Sequence, residues 1–278
     1  MLDLLPGIME ISRKAGNAIL DVYAEDSFGI EIKDDDSPLT RADLASHRII
    51  VNSLAQMAPE IPVLSEESDP IDFSERKHWR QYFLVDPLDG TKEFINRNDE
   101  FTVNIALIEN GTPVMGVVFV PVQNVLYAGT QLGKRSAFIE KQGRRSPIRA
   151  RQLAGHLKEN RPVTVVASRR HGVTALSELM RRMEQHFPKI ETINMGSSLK
   201  LCLIAEGKAD FYPRLAPTSE WDTAAAQAIV EAAGGVVMDA GLHSLRYNSK
   251  EDILNPDFFV VGDPDYPWES ILNTGSGT

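Results

Sequence analysis

The sequence predicts a layered α/β protein. Three observations carry that expectation. Apolar runs of strand length dominate the first half, with helical stretches flanking them. The second half alternates strand and helix patterns. A polar, basic segment, residues 150–161, lies between the two patterns and reads as a linker. The expected division is therefore an α+β unit over 1–150 and an α/β unit over 151–278.

Taken in order, residues 1–24 read as a helix and 29–33 as a strand. Residues 40–57 form a second helix, with Ile50, Leu54 and Met57 at helical spacing and Thr40 and Asp43 placed to begin a capping arrangement. Residues 61–64 are a short apolar run, and 82–85 a β-prone one. Pro87 presets its own φ and Gly90 permits an unusual backbone angle, so the chain is expected to leave this strand at once. Strands over 101–108 and 113–120 flank Asn110-Gly111, a hairpin turn signal. More strands follow to about residue 149, with turns at Gly133 and Gln142-Gly143. Beyond the linker come a strand at 163–167, a helix at 174–186 and a strand at 190–193. A helix then starts after Ser197, 209–215 is extended, and 221–233 is an Ala-rich helix ending at Gly234-Gly235. Strands at 236–238 and 258–261 close the pattern.

Composition narrows the functional classes. The 278 residues are 42% hydrophobic, enough for a substantial core. A net charge of −10 argues against nonspecific binding to nucleic acid, though an anion can still be held locally by metals and a few basic side chains. Cys202 is the only cysteine, so no intramolecular disulfide is possible; it reads as a small buried hydrophobe. The N-terminus lacks the basic cluster of a signal peptide, and the most apolar region, 113–127, is interrupted by Gly116, Pro121, Gln123 and Asn124. The expectation is a protein without stable membrane insertion. The polar tail, 273–278, is expected to be disordered.

Asp86-Pro87-Leu88-Asp89-Gly90-Thr91 is the stretch most suggestive of chemistry. A turn here would bring two carboxylates, a backbone carbonyl and a hydroxyl around one small volume. Hard cations such as Mg²⁺ bind through such oxygens, and a phosphate can be held by the metal and by the N–H groups of the turn. An ordinary acidic turn is the alternative, because Pro, Asp and Gly are common turn formers. Two further acidic sites bear on the choice. Glu66 and Glu67 follow the 61–64 run, and Asp222 opens the Ala-rich helix. Singly, these could be solvated charges or a helix-dipole preference. Their ordered set is harder to dismiss.

That order resembles the inositol monophosphatase superfamily. The residues carrying the likeness are Val63-Leu64-Ser65-Glu66-Glu67, the stretch from Leu84 to Phe94, the stretch from Glu100 to Leu107, Gly196-Ser197-Ser198-Leu199-Lys200, and Trp221-Asp222 before Gly234-Gly235. Within the superfamily the sequence is similar to the 3′(2′),5′-bisphosphate nucleotidases of CysQ type. The resemblance implies an α–β–α–β–α sandwich with the active site between the two halves. It implies two or more Mg²⁺ ions per site: one on Glu67, Asp86 and the Leu88 carbonyl, a second sharing Asp86 and using Asp89 and Asp222. Four carboxylates and two divalent ions sum to zero charge, so the charge of a phosphate is tolerable. Glu66 either joins the ligands or stands behind them. Asp43 and Thr91 match the pair that positions and activates the attacking water. Gly90 and Thr91 could also donate backbone N–H groups to the scissile phosphate.

The resemblance also implies contacts to the substrate. Glu67, Leu88, Asp89, Gly90, Thr91 and Asp222 border it together with Ser197, Lys200, Arg214 and His171. Lys200 and Arg214 match positions that hold a second, nonreacting phosphate. An Arg at 214 stands where inositol monophosphatases offer an acid to sugar hydroxyls, and its planar fork suits two phosphate oxygens. His171 matches a nucleotide-contacting position, while Arg170 departs from the small or polar residue usual there. N-capping by Ser197 and plain surface charge for Lys200 and Arg214 remain alternatives. The implied activity is Mg²⁺-dependent hydrolysis of adenosine 3′,5′-bisphosphate to AMP and phosphate, recycling a by-product of sulfate assimilation. The implied setting is cytoplasmic, with peripheral attachment at the inner membrane seen for some relatives, and a homodimer is compatible with it. Two rivals stand beside this reading: a sugar phosphatase such as inositol monophosphatase, and a noncatalytic nucleotide-binding sensor on the same fold.

Overall fold

The computed structural model describes residues 4–33, 38–167 and 173–272. The chain begins with α1 (Leu4–Tyr23), followed by two short paired strands, β1 (Glu31–Ile32) and β2 (Pro38–Leu39), and α2 (Arg41–Met57). Next come β3 (Val63–Ser65), α3 (Phe73–Arg76), β4 (Gln81–Asp89) and α4 (Thr91–Ile95). A run of strands follows: β5 (Thr102–Glu109), β6 (Thr112–Val120), β7 (Val125–Thr130), β8 (Ser136–Lys141) and β9 (Arg144–Pro147). After α5 (Leu153–Lys158) the elements alternate as β10 (Val163–Ala167), α6 (Val173–His186), β11 (Ile190–Asn194), α7 (Leu199–Ala205) and β12 (Phe211–Arg214). The remainder is α8 (Glu220–Ala233), β13 (Val236–Asp239), β14 (Phe258–Val261) and α9 (Glu269–Leu272).

Among the described residues, β3 to β9 form a seven-stranded sheet in sequence order, antiparallel except for the parallel β3–β4 pair. A five-stranded sheet has the order β11-β10-β12-β14-β13, with β10 parallel to both its neighbours. Strand periodicity explains how the large sheet is buried on both faces. On β4, Phe83 and Val85 face one way, into a core shared with α1 and α2, while Tyr82 and Leu84 face the other. The alternation repeats on β5, where Val103, Ile105 and Leu107 oppose Ala106 and Ile108. The second core is filled by α7 and α8, which lie between the two sheets. A third core, with Leu179 and Met183 of α6, Phe187 just after it and Ile271 of α9, covers the outer face of the smaller sheet. The layers are therefore helix, sheet, helix, sheet, helix, as the family resemblance implies.

The middle layer is tight. A Cβ on Gly116 would lie 2.0 Å from the Ala225 carbonyl oxygen, and one on Gly129 would lie 2.6 Å from the Ile229 Cα. Only glycine lets α8 approach β6 and β7 this closely, and the alanines of α8 complete the fit.

Three expectations need correction. The strand does not break at Pro87. β4 runs on to Asp89, because an extra residue is absorbed in a bulge: Asp86 pairs with Asn104, but Asp89 pairs with Thr102. Proline is tolerated in a bulge, where no ladder N–H is required of it. Second, residues 150–161 are more than a linker. They hold α5, whose Leu153 and His156 are buried, with the Leu153 amide donating to the Asp263 carboxylate at 2.8 Å. Third, the strand expected over 29–33 shrinks to two exposed residues.

Candidate active site

Two helix N-termini and one bulged strand end build the site. Thr40 caps α2, and Asp43 answers it: the Thr40 amide donates to Asp43 Oδ2 at 2.8 Å, as does the Thr40 hydroxyl at 2.5 Å. The other oxygen, Oδ1, accepts from the Thr91 hydroxyl at 3.2 Å. The capping and chemical readings of Asp43 are thus compatible, one per oxygen. Burial pushes the Asp43 carboxyl up to about 6, against the opposing pull of the Thr40 hydrogen bonds.

The bulge aims the Asp-Pro-Leu-Asp segment. Ser46 of α2, fully buried, donates to the Pro87 carbonyl at 2.7 Å. The Leu88 amide donates to Asp86 Oδ1 at 3.0 Å, and the Leu88 carbonyl lies 3.3 Å from the Thr91 hydroxyl. Gly90, at φ 93°, turns the chain left-handed into α4, a backbone angle that a β-carbon would strain. On α8, Asp222 occupies the same helical position as Asp43 on α2, and its Oδ2 accepts from the Ser219 amide at 3.1 Å.

The result is a carboxylate cluster. Asp86, Asp89 and Asp222 each offer an oxygen, and these atoms lie within 4.8 Å of one another. Burial raises all three acids above the usual carboxylate range. Neighbouring acids add to the effect on Asp86 and Asp222, whereas Lys200 and the Ser198 amide oppose it on Asp89. Carboxylates this close and this buried repel one another unless a cation lies among them. An all-oxygen donor set suits a hard divalent ion.

Glu67 stands apart from that cluster. Its Oε1 accepts from the Lys33 ammonium at 2.5 Å, and Glu66 accepts from the same nitrogen at 2.9 Å. Lys33 is a partner that the sequence reading did not foresee; it lies at the end of the shortened β1 segment.

Asp89 is held from several sides. The Ser198 amide donates to its Oδ2 at 2.5 Å, with Asn104 Nδ2 at 3.4 Å and the Thr102 hydroxyl at 3.5 Å. The Thr102 and Ser198 hydroxyls meet at 2.9 Å, and Ser198 Oγ donates to Asn104 Oδ1 at 2.9 Å. The stretch Glu100 to Leu107 carried part of the family resemblance, but no role for Thr102 or Asn104 could be read from spacing alone. Their partners are 94 and 96 residues away.

A cavity of about 350 Å³ opens on this cluster, lined by Asp89, Gly90 and Asp222 on one side and by Ser197, Lys200 and Arg214 on another. Lys200 is buried. Its ammonium donates to the Ser197 carbonyl at 2.6 Å and lies 5.7 Å from the centre of the Tyr212 ring. Desolvation pulls its pKa down, and the charge of Asp89 resists. Arg214 is braced by Thr218 and by the Ala216 and Pro217 carbonyls. Two of the amides before α7 are engaged by carboxylates. Gly196 N donates to Glu100 Oε2 at 2.6 Å, and Ser198 N goes to Asp89. His171 lies outside the described residues.

A profile of the inositol monophosphatase family matches residues 3–262. The chain belongs to the inositol monophosphatase family. Its relatives in that family include the 3′(2′),5′-bisphosphate nucleotidase CysQ of Shigella flexneri, 47% identical over 92% of this chain and 99% of the relative. The CysQ of Salmonella typhimurium is 48% identical over 93% of this chain and 99% of its own. The crystal structure of CysQ from Bacteroides thetaiotaomicron, described as a bacterial member of the inositol monophosphatase family, superposes with a TM-score of 0.78 at 41% identity. The match covers 94% of this chain and 97% of that one. Among the described residues, no helix is long and apolar enough to cross a membrane.

Proposed function

We propose that the chain is a Mg²⁺-dependent 3′(2′),5′-bisphosphate nucleotidase. It releases the 3′-phosphate of adenosine 3′,5′-bisphosphate, giving AMP and phosphate, in the recycling linked to sulfate assimilation. One observation carries the reading: Asp89 and Asp222, two members of the three-carboxylate cluster, line the same cavity as the cationic pair Lys200 and Arg214. The first suits a divalent ion and a reacting phosphate. The second suits a phosphate that does not react. The identity to nucleotidases over nearly the whole chain supports the same substrate class.

Asp86, Asp89 and Asp222 would hold the metal, joined by the Leu88 carbonyl and by Glu67 once Lys33 yields it. When bound, two or more Mg²⁺ ions would supply Lewis acidity at the phosphoryl oxygens and acidify the attacking water. The chain's own residues do the rest. Asp43 Oδ1 accepts the Thr91 hydroxyl proton, which leaves a Thr91 lone pair to accept from water and aim it. With its pKa near 6, Asp43 is mostly ionised at neutral pH, as that role requires. Gly90 and Thr91 border the reacting phosphate, and Ser197, Lys200 and Arg214 receive the nonreacting one. His171 would contact the base.

Inositol monophosphatase activity is the second reading. Arg214 disfavours it, since a guanidinium on the cavity wall recognises an anion more readily than a neutral sugar hydroxyl. A phosphate-release panel in Mg²⁺ tests both. Adenosine 3′,5′-bisphosphate should be turned over fastest, ahead of inositol 1-phosphate and fructose 1,6-bisphosphate. Preference for inositol 1-phosphate would transfer the assignment to the sugar phosphatases.

A further inference from the structure

A second cavity, of about 460 Å³, lies at the opposite end of β4 from the carboxylates. Three segments build it: the α3–β4 connection, the turn between β5 and β6, and the loop after β13. Its walls are fixed by hydrogen bonds. The Tyr247 amide donates to the Gly111 carbonyl at 3.0 Å, and Arg246 Nη1 donates to Thr112 Oγ1 at 2.7 Å. The Asn248 amide donates to both carboxylate oxygens of Glu220, at 3.1 and 2.9 Å.

The lining is unusual for this chain. Lys77, His78, Arg80 and Arg246 contribute to it, and no carboxylate does, in a protein whose net charge is −10. None of these four forms an ion pair with a described residue. Trp79 offers an aromatic surface beside them, 5.8 Å from the Tyr82 ring. Tyr82 also lines the cavity. Its side chain is 1% exposed, and its hydroxyl has no hydrogen-bond partner among the described residues.

The geometry points to a second ligand site here, for a nucleoside monophosphate. The phosphate meets Lys77 and Arg80, and the planar base lies on Trp79. The volume falls within the usual range for small-molecule sites, roughly 300–1,000 Å³. The cavity is separate from the catalytic one: Tyr82 and Asp89 stand at opposite ends of β4, roughly 20 Å apart at strand rise. Yet one hydrogen bond joins the two walls. Tyr247 lines the second cavity, and its hydroxyl lies 3.0 Å from that of Thr223, which lines the first next to Asp222.

The test is calorimetric titration with AMP, with inorganic phosphate as the comparison, and it reads binding without turnover. Wild-type protein should bind AMP at two sites. A Lys200→Ala/Arg214→Ala variant should keep one of them. Adding Lys77→Ala and Arg80→Ala to that variant should weaken the remaining site at least tenfold. Trp79→Leu should weaken AMP but not phosphate. Loss of all AMP binding in Lys200→Ala/Arg214→Ala would overturn the proposal, as would undiminished binding after the Lys77 and Arg80 changes. Equal affinity for inorganic phosphate and AMP would overturn the nucleotide assignment. Because Lys77 and Arg80 are exposed, their variants are expected to fold, and the binding that remains in Lys200→Ala/Arg214→Ala does not depend on which phosphate ester the enzyme hydrolyses.

Discussion

At the scale of single residues, the division of labour within Asp43 and Asp222 is the informative point. Each spends one oxygen on a helix N-terminus and leaves the other facing the site. Asp43→Asn keeps an oxygen able to cap but loses the carboxylate that takes the Thr91 proton. Its kcat should fall by about two orders of magnitude or more, and Thr91→Ala should match it. Thermal unfolding of the Asn variant should move little. Intact turnover with a lowered melting temperature would return Asp43 to a purely structural role. Asp86 acts differently, because it is the most buried of the cluster and is the proposed shared ligand of the metals. Chelation should abolish phosphate release and Mg²⁺ should restore it, while Asp86→Asn stays nearly inactive at moderate Mg²⁺. Robust hydrolysis by metal-free protein would sink the mechanism. Arg214→Ala should cost roughly ten- to a hundredfold in kcat/KM on adenosine 3′,5′-bisphosphate, the loss of a charge-assisted contact worth about 1.5–3 kcal/mol. Slow inositol 1-phosphate hydrolysis should be nearly unchanged. Equal losses on both substrates would mean that Arg214 braces its loop, as its bonds to Ala216 and Pro217 allow.

At the scale of elements, the bulge in β4 is what neither composition nor spacing revealed. Pro87 and Gly90 together read as a strand end, and only the pairing with β5 shows one residue absorbed and the ladder resumed at Asp89. Cross-strand register depends on contacts distant in sequence, whereas the capping of α2 by Thr40 and Asp43 is local and was readable directly. The same contrast explains the site. The acidic motifs were legible because each sits at an element's end. The roles of Thr102, Asn104 and Ser198 were not, since their network closes only when α7 docks on β5. α5 escaped notice because a polar, basic stretch conceals two buried side chains, Leu153 and His156. The bulge carries its own prediction. Ser46→Ala removes the only side-chain bond recorded to the Pro87 carbonyl among the described residues. Stability should drop by about 1 kcal/mol in denaturant melts. Mg²⁺ affinity should weaken as well, because the Leu88 carbonyl and Asp89 lose their support. Unchanged metal affinity would show that the bulge holds its shape without Ser46.

At the scale of the whole molecule, α8 binds the layers together. It is encoded in the second half of the chain, yet it packs against β4, β5, β6, β7 and β8 of the first. Its opening residues carry Asp222, and its flank meets Gly116 and Gly129. A change on β6 should therefore be felt at the metal site. Gly116→Ala should destabilise the protein by about 1–3 kcal/mol through overpacking against the Ala225 backbone, and should also lower Mg²⁺ affinity.

The helix shared in this way bears on how the chain comes apart. Among the described residues, one hydrophobic face of the larger sheet takes little cover from residues before 150, chiefly Ile71 and Trp79; most of its cover arrives with α7 and α8. Neither half is then a self-sufficient folding unit, and partial loss of one would strip the other of its solvent shield. Heating should give a single calorimetric peak whose van't Hoff and calorimetric enthalpies agree, and the same should hold for a chain nicked at the exposed Gln142-Gly143 turn. During synthesis the first sheet must wait, with one face largely bare, for more than seventy further residues to emerge before α8 can close over it. That interval is where aggregation and chaperone capture would act, and where a slowed ribosome would do the most harm.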